Sequence, residues 1–338
     1  MTARPSVVPG LAVLAALAAL AAGVATVVPR VSELILAIIA GAVVANTVGV
    51  PAWAQSGVRR YKLVLESAIV LLGARVAVDQ LATVGPTVFG LVVFVIAFGV
   101  VFVELLSRYV FDLARTNGSL LAAGSSVCGV SAVAAVASSI QANEQQLAYA
   151  AATVLLFDAL TLVLFPVFGQ VLDISAKAFG VWAGLSMFST GPVAAVGFAN
   201  SPVAGEWATI TKLVRNSFIG VLAIGYAFVY LRWYSTPNAG RDADGSALGL
   251  GAAWNAFPKF LVGFVFVVAI ANAGLLSDES LSSIATVTDW LFLVAFAGLG
   301  FDVRLSSIRD AGARPVLVVL LYLLVVSFLS LIAVTTLL

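Results

Sequence analysis

Histidine is absent from this sequence and cysteine occurs once, as Cys128. The first absence excludes a histidine proton relay and any triad built on a histidine base; the second excludes a disulfide framework and a zinc cluster. Charge is also scarce. Only 10% of the 338 residues are charged, against 62% apolar, and a mean hydropathy of +1.12 is far above that of soluble domains. No Walker-type phosphate loop is present, so ATP hydrolysis by this chain is not expected. With a net charge of +1 there is no basic surplus for nucleic acid. The expectation is an all-α polytopic membrane protein that is not an enzyme and carries no cofactor beyond a coupling ion, sodium or proton.

What fills the chain is long apolar runs. A span needs about 20 residues to cross about 30 Å of hydrocarbon. That yardstick predicts eleven spans, near residues 8–28, 31–50, 62–81, 84–106, 119–140, 146–170, 177–199, 206–232, 256–276, 281–302 and 314–337. The first is read as a helix and not as a signal peptide, because it lacks a clear cleavage site and another span follows at once. Spans 119–140, 177–199 and 281–302 are rich enough in Gly and Ser to be discontinuous. The stretch Tyr234–Trp254 carries Pro, Gly, Asn and Asp and reads as a solvated linker.

Lys and Arg accumulate on the cytoplasmic side of membrane proteins. On the eleven-span topology Arg4, Arg59, Arg60, Lys62, Arg108, Arg115, Lys177, Arg232, Arg241, Lys259, Arg304, Arg309 and Arg314 share one side. Arg30 lies opposite, with Glu33, Asp79, Glu144, Glu206, Asp278 and Glu279. This puts the N-terminus in the cytoplasm and the C-terminus outside.

A few charges remain inside spans. Lys212 and Arg215, three apart in "EWATITKLVRNSFIG", share a helix face. Asp158 and Asp289 fall near mid-span and Glu66 closer to one end. Charges in lipid cost several kcal/mol unless they pair or face water. Two readings follow. Arg215 and Asp158 or Asp289 form a structural ion pair, or Arg215, with or without Lys212, binds an anionic substrate while Asp158, Asp289 or Glu66 couples transport to a proton or sodium ion.

"KLVLESAI" at 62–69 echoes "KLVRNSFI" at 212–219, as an inverted repeat would. The chain then divides into an extra N-terminal helix, 1–30, and two five-helix halves, 31–173 and 174–338. A rival echo pairs "LLGARVAVDQLATVGP" with "GLGFDVRLSSIRDAGARP". In the first register the fifth and tenth spans become crossed, discontinuous helices. "GSSVCGVSAVAAV" (124–136) would supply free backbone N–H groups, hydroxyls from Ser125, Ser126 and Ser131, and flexibility from Gly124 and Gly129. Close packing of small residues accounts for the same composition without a ligand. Cys128 reads as a small buried apolar residue.

The stretch "AAGSSVCGVSAVAAVASSIQANEQQLAYAAATVLLFDALTLVLFPVFG", with "YKLVLESAIVLLGARV" and "FLVAFAGLGFDVRLSSIRDAGARPVLV", resembles a family of prokaryotic membrane proteins that goes by the provisional name of sulfate exporters. The resemblance runs from about residue 31 to the end. It implies a place in the superfamily of bile-acid symporters and sodium/proton antiporters, with inverted repeats, crossed broken helices, alternating access and, by analogy, a homodimer. It implies site roles for Gly124, Ser126, Cys128, Gly129, Ser131, Gly184, Ser186, Gly197, Lys212, Arg215, Gly298 and Gly300, and Ser189 falls within the same motif. This chain departs from the pattern at Phe188, Ser189 and Pro192, where relatives carry His, an acid and Gln, at Ser138 in place of Pro, and at Asp158 in place of a small residue. The expectation is a secondary transporter of a small anion, such as sulfate or sulfite, in a prokaryotic plasma membrane. A sodium/proton antiporter and a non-transporting sensor or scaffold are the alternatives.

Overall fold

The computed structural model describes residues 7–27, 32–233, 254, 257–303 and 312–338. Arg4, Arg30, Arg241, Arg304, Arg309 and most of Tyr234–Trp254 lie outside the described residues. The described chain is all helical and divides into two compact units that alternate along the sequence. Unit 1 comprises the described parts of Met1–Gly85, Ala194–Glu206 and Lys259–Leu305; unit 2 comprises those of Pro86–Val193, Trp207–Pro258 and Ser306–Leu338. Each unit therefore draws on both sides of Asp173.

Unit 1 holds α1 (Val8–Val27), α2 (Glu33–Thr47), α3 (Ala52–Val58), α4 (Tyr61–Leu72), α13 (Phe260–Asn272) and α14 (Asp278–Gly300). Its centre is made of small side chains. Ala18, Ala21, Ala37, Leu293 and Ala297 form one buried cluster, and helices that meet through alanine and glycine approach closely enough for dispersion to hold them in lipid. Gly300 shows why. A Cβ there would stand 2.2 Å from Ile38 O, and one on Gly298 would stand 2.1 Å from Tyr61 Cβ. These two glycines are where α14 touches α2 and α4.

Helix α14 corrects one expectation. The 281–302 span is a single continuous helix. Its hydroxyls bond backward along the helix, Thr286 to Ser282 O and Thr288 to Ile284 O, which satisfies them without a break.

Unit 2 holds most of α5 (Val78–Leu105), then α6 (Arg115–Ala123), α7 (Val130–Ser139), α8 (Glu144–Val171), α9 (Ala176–Ser186), α12 (Ile219–Trp233) and α15 (Ala313–Leu337). Helices α10 (Thr190–Asn200) and α11 (Pro202–Asn216) run across the unit boundary. Helix α8 begins in a capping box, in which Asn143 and Gln146 exchange side-chain and backbone bonds. Helix α9 lies on α15, fixed by Trp182 Nε1 donating to Ser327 O at 2.8 Å and by the Ser186–Ser330 hydroxyl pair at 2.9 Å. Among the described residues, six stretches are long and apolar enough to cross a membrane: Val8–Val27, Leu81–Val110, Glu144–Val171, Pro202–Arg232, Asp278–Gly300 and Ala313–Leu337. The other expected spans are short helices or helix pairs. At 12 residues, α4 rises only about 18 Å. The 206–232 span is divided at Ser217 and Phe218 between α11 and α12.

A helix junction with buried charges

Two interruptions meet inside unit 2. The first separates α6 from α7. The helix widens into a π turn at Gly124–Cys128, which Gly129 N closes by donating to Gly124 O at 2.8 Å. Gly129 then turns the chain with φ +59° and ψ −137°, a conformation open to glycine and costly for any residue with a Cβ. The second separates α9 from α10, where Met187 is extended and Ser189 begins the next turn. The two breaks touch: a Cβ on Gly129 would fall 2.0 Å from Ser189 Oγ.

An interrupted helix exposes carbonyls at one end and N–H groups at the other, with partial charges of opposite sign. Here three of the four ends meet their complement. The carbonyl ends of α6 and α9 receive the two buried cations. Arg215 Nε and Nη2 donate to Ser126 O at 3.3 and 2.8 Å, Nη2 also to Ser125 O at 3.1 Å, and Nη1 to Gly184, Leu185 and Met187 O at 2.8–2.9 Å. Lys212 Nζ donates to Val127 O at 2.8 Å and Met187 O at 3.1 Å. Both side chains have no solvent exposure. At the N–H end of the second break stands a carboxylate: Asp158, 4% exposed, accepts from Ser189 N at 3.0 Å. The N-terminus of α7, by contrast, has no side-chain cap. Val133 N is the donor that returns to Gly129 O, which leaves the N–H groups of Val130, Ser131 and Ala132 beyond the helix's own bonding pattern.

Other groups complete the junction. Asn216 Nδ2 donates to Thr190 Oγ1 at 2.9 Å, which lies 3.6 Å from Cys128 Sγ. Asn216 Oδ1 is buried without a hydrogen-bond partner. Phe188 lies stacked near Tyr322, with 6.1 Å between ring centroids, and meets Phe157 edge-on at 6.2 Å.

The structure thus gathers Gly124, Ser125, Ser126, Cys128, Gly129, Ser189, Lys212, Arg215 and Asp158 around the two breaks. Ser125 Oγ turns back to Leu121 O, so its carbonyl, and not its hydroxyl, faces the cation. Ser131 is exposed on the first turn of α7. Ser186 is engaged with Ser330. Gly184 lends its carbonyl to Arg215, and the remaining sequence candidates belong to unit 1: Gly197 on α10, Gly298 and Gly300 in helix contacts, Glu66 half-buried on α4, and Asp289 in a 2.8 Å ion pair with Arg75. Two expectations change. The 119–140 break meets the 177–199 break, and the tenth span, expected to be discontinuous, is one continuous helix. And Arg215 is bound by carbonyls rather than paired with Asp158 or Asp289, so every guanidinium nitrogen is already donating.

Sequence reading missed Thr190, Asn216 and Tyr322, which carry no motif, and it missed Glu104. That carboxylate accepts from Ser119 Oγ and Tyr226 Oη at 2.7 and 2.9 Å and pairs with Arg108 at 2.7 Å. These three polar partners make it a tie between α5, α6 and α12.

Comparison with known proteins places the chain. The family described as Conserved hypothetical protein 698 matches residues 9–319. A UPF0324 membrane protein of Nitratidesulfovibrio vulgaris is 33% identical over 284 residues, 83% of this chain and 77% of that protein. The UPF0324 inner membrane protein YeiH of Escherichia coli is 29% identical over 296 residues, 86% of this chain and 81% of its own. A UPF0324 membrane protein of Agrobacterium fabrum is 28% identical over 299 residues, 88% and 82% of the two chains. None of these descriptions names a solute, so the sulfate-exporter label rests on motif resemblance alone. No solved structure matches. With its long apolar helices and these relatives, the protein is a multi-pass inner-membrane protein.

Proposed function

We propose that this chain, which belongs to the Conserved hypothetical protein 698 family, is a secondary active transporter whose solute site is the junction of the two interrupted helices. It performs no chemistry on its cargo. One observation carries the reading: backbone is left unsatisfied at membrane depth only where it faces other protein or a solute path, and here Arg215 and Lys212 meet the carbonyl ends of both breaks and Asp158 meets the N–H end of the second, while the N–H end of the first is uncapped. That pattern is the one secondary transporters use to hold ions near the bilayer midplane.

The cargo is a small anion, with sulfur oxyanions first. Two formal cations and one carboxylate surround the breaks, and the free donors lie at the N-terminus of α7 beside the Ser131 hydroxyl. Arg215 and Lys212 act by holding the carbonyl ends together rather than by touching cargo. Asp158 is the coupling group for a proton or sodium ion. A second reading, cation exchange alone, is favoured by the buried acceptors Asp158 and Asn216 Oδ1. Alternating access, the inverted repeat, the homodimer and the orientation of the termini are further parts of this proposal.

Solid-supported-membrane currents from reconstituted protein separate the readings. Sulfate, sulfite, small sulfonates, carboxylates, sodium and pH jumps are applied in turn to the wild type and to Asp158→Asn. Currents evoked by an oxyanion, reduced in the variant, are expected. Currents driven by sodium or protons alone assign cation exchange, and silence from folded protein refutes transport by this site.

A further inference from the structure

Unit 1 contains a cavity that the transport reading does not use. It lies where α3 turns into α4, measures about 330 Å³, and is lined by Gln55, Arg59, Tyr61, Lys62, Phe301 and Asp302 among others, a volume in the range of small-molecule sites. Its floor is fixed. Tyr61, 5% exposed, is clamped against Gly298 and donates its hydroxyl to Asp302 Oδ2, so this carboxylate in the wall already has a partner. Arg59 and Lys62 are exposed at the rim. Among the described residues, the wall therefore carries two cations against one acid that is already bonded.

The setting narrows the ligand. Trp53, on the first turn of α3, is 59% exposed, as aromatic side chains are at the headgroup level of a bilayer. Arg59, Arg60 and Lys62 fall on the side that the charge distribution assigns to the cytoplasm, where anionic lipids collect. A guanidinium fork matches tetrahedral oxyanions in two-point geometry, an ammonium adds a point charge, and the Gln55 amide adds a neutral donor. We propose that this cavity binds a phosphate group, as the headgroup of an anionic phospholipid or as free phosphate.

The test uses full-length purified protein in two arms: phosphatidylglycerol against phosphatidylcholine, read as lipid retained in native mass spectra, and inorganic phosphate, read by titration calorimetry. The double variant Arg59→Gln/Lys62→Gln is compared with Arg60→Gln, an exposed neighbour that does not line the cavity. Both change exposed side chains, and size-exclusion profiles check that they fold. Binding in either arm that falls at least about tenfold in the double variant, as loss of charge-assisted bonds at a partly exposed site implies, and persists in Arg60→Gln supports the proposal. The arm in which it occurs names the source. No binding in either arm, binding untouched by the double variant, or equal loss in Arg60→Gln, which reflects general surface charge, overturns it.

Discussion

Replacing Arg215 with Met should unfold the junction rather than weaken a solute. The substitution keeps much of the side-chain length and apolar stem, and it removes six hydrogen bonds to five carbonyls. Lys212 still reaches Met187 O, so the carbonyls of Ser125, Ser126, Gly184 and Leu185 are the ones left without this cation. Gross hydrogen-bond energies to a charged donor, about 1.5–3 kcal/mol each, overstate the loss, because returning the guanidinium to water in the unfolded chain recovers its hydration. Leaving a buried acceptor without its donor costs about 1–3 kcal/mol, so over these four carbonyls a net loss of about 3–5 kcal/mol is expected. For a domain of this size each kcal/mol moves Tm by about 2–4 °C, so a fall of roughly 10 °C is predicted. Intrinsic tryptophan scanning fluorimetry in detergent reads it. Arg215→Lys retains the charge but not the planar fork and should fall between. Wild-type stability in Arg215→Met, with solute affinity lost, would refute this reasoning and return Arg215 to the role of substrate ligand.

Further outcomes follow from the same geometry. Gly129→Ala places a Cβ on a φ of +59° and against Ser189 Oγ, so it should cost about 3 kcal/mol or more and lower both Tm and transport. Gly298→Ala drives into Tyr61 Cβ; about 1–3 kcal/mol of overpacking is expected, and it should weaken phosphate binding at the α3–α4 cavity while Arg60→Gln does not. Asp289→Asn breaks a pair whose side chains are 20% and 58% exposed, so urea or thermal unfolding should change by less than about 1 kcal/mol and transport should be unaffected.

The apolar runs located the helices because lipid demands length and greasiness, both written in the sequence. The ends of α1, α8 and α15 fall within two residues of the expected 8–28, 146–170 and 314–337 spans. Gly and Ser content marked three spans as candidates for interruption, and two are interrupted. What separates them is not composition. Gly129 adopts a conformation that stops a helix, and Met187 is extended, whereas Gly298 and Gly300 spend their missing side chains on contact with Tyr61 and α2. That distinction depends on the neighbour, which lies more than 200 residues away in the chain. The Lys212/Arg215 spacing was legible as a shared helix face, and Asp158 as an embedded acid. Their partners were not, since backbone carbonyls leave no signature in the residue types that bear them. Sequence reasoning therefore looked for an acid or an anion opposite Arg215 and could not anticipate two helix ends. The Arg75–Asp289 pair was missed for a related reason: Arg75 sits in a short turn after α4 that the 62–81 span absorbed.

The single cysteine offers a direct probe of the central claim, because Cys128 lies in the first break, 7% exposed and beside Thr190. Alkylation of Cys128 by a membrane-impermeant maleimide, timed in proteoliposomes with and without a saturating gradient of the transported ion, reports whether the junction opens and closes as solute binds. The account predicts a rate that changes several-fold with the ion and loses that dependence in Asp158→Asn. A rate indifferent to the ion, in protein shown to carry current, would contradict the assignment of the junction as the solute site.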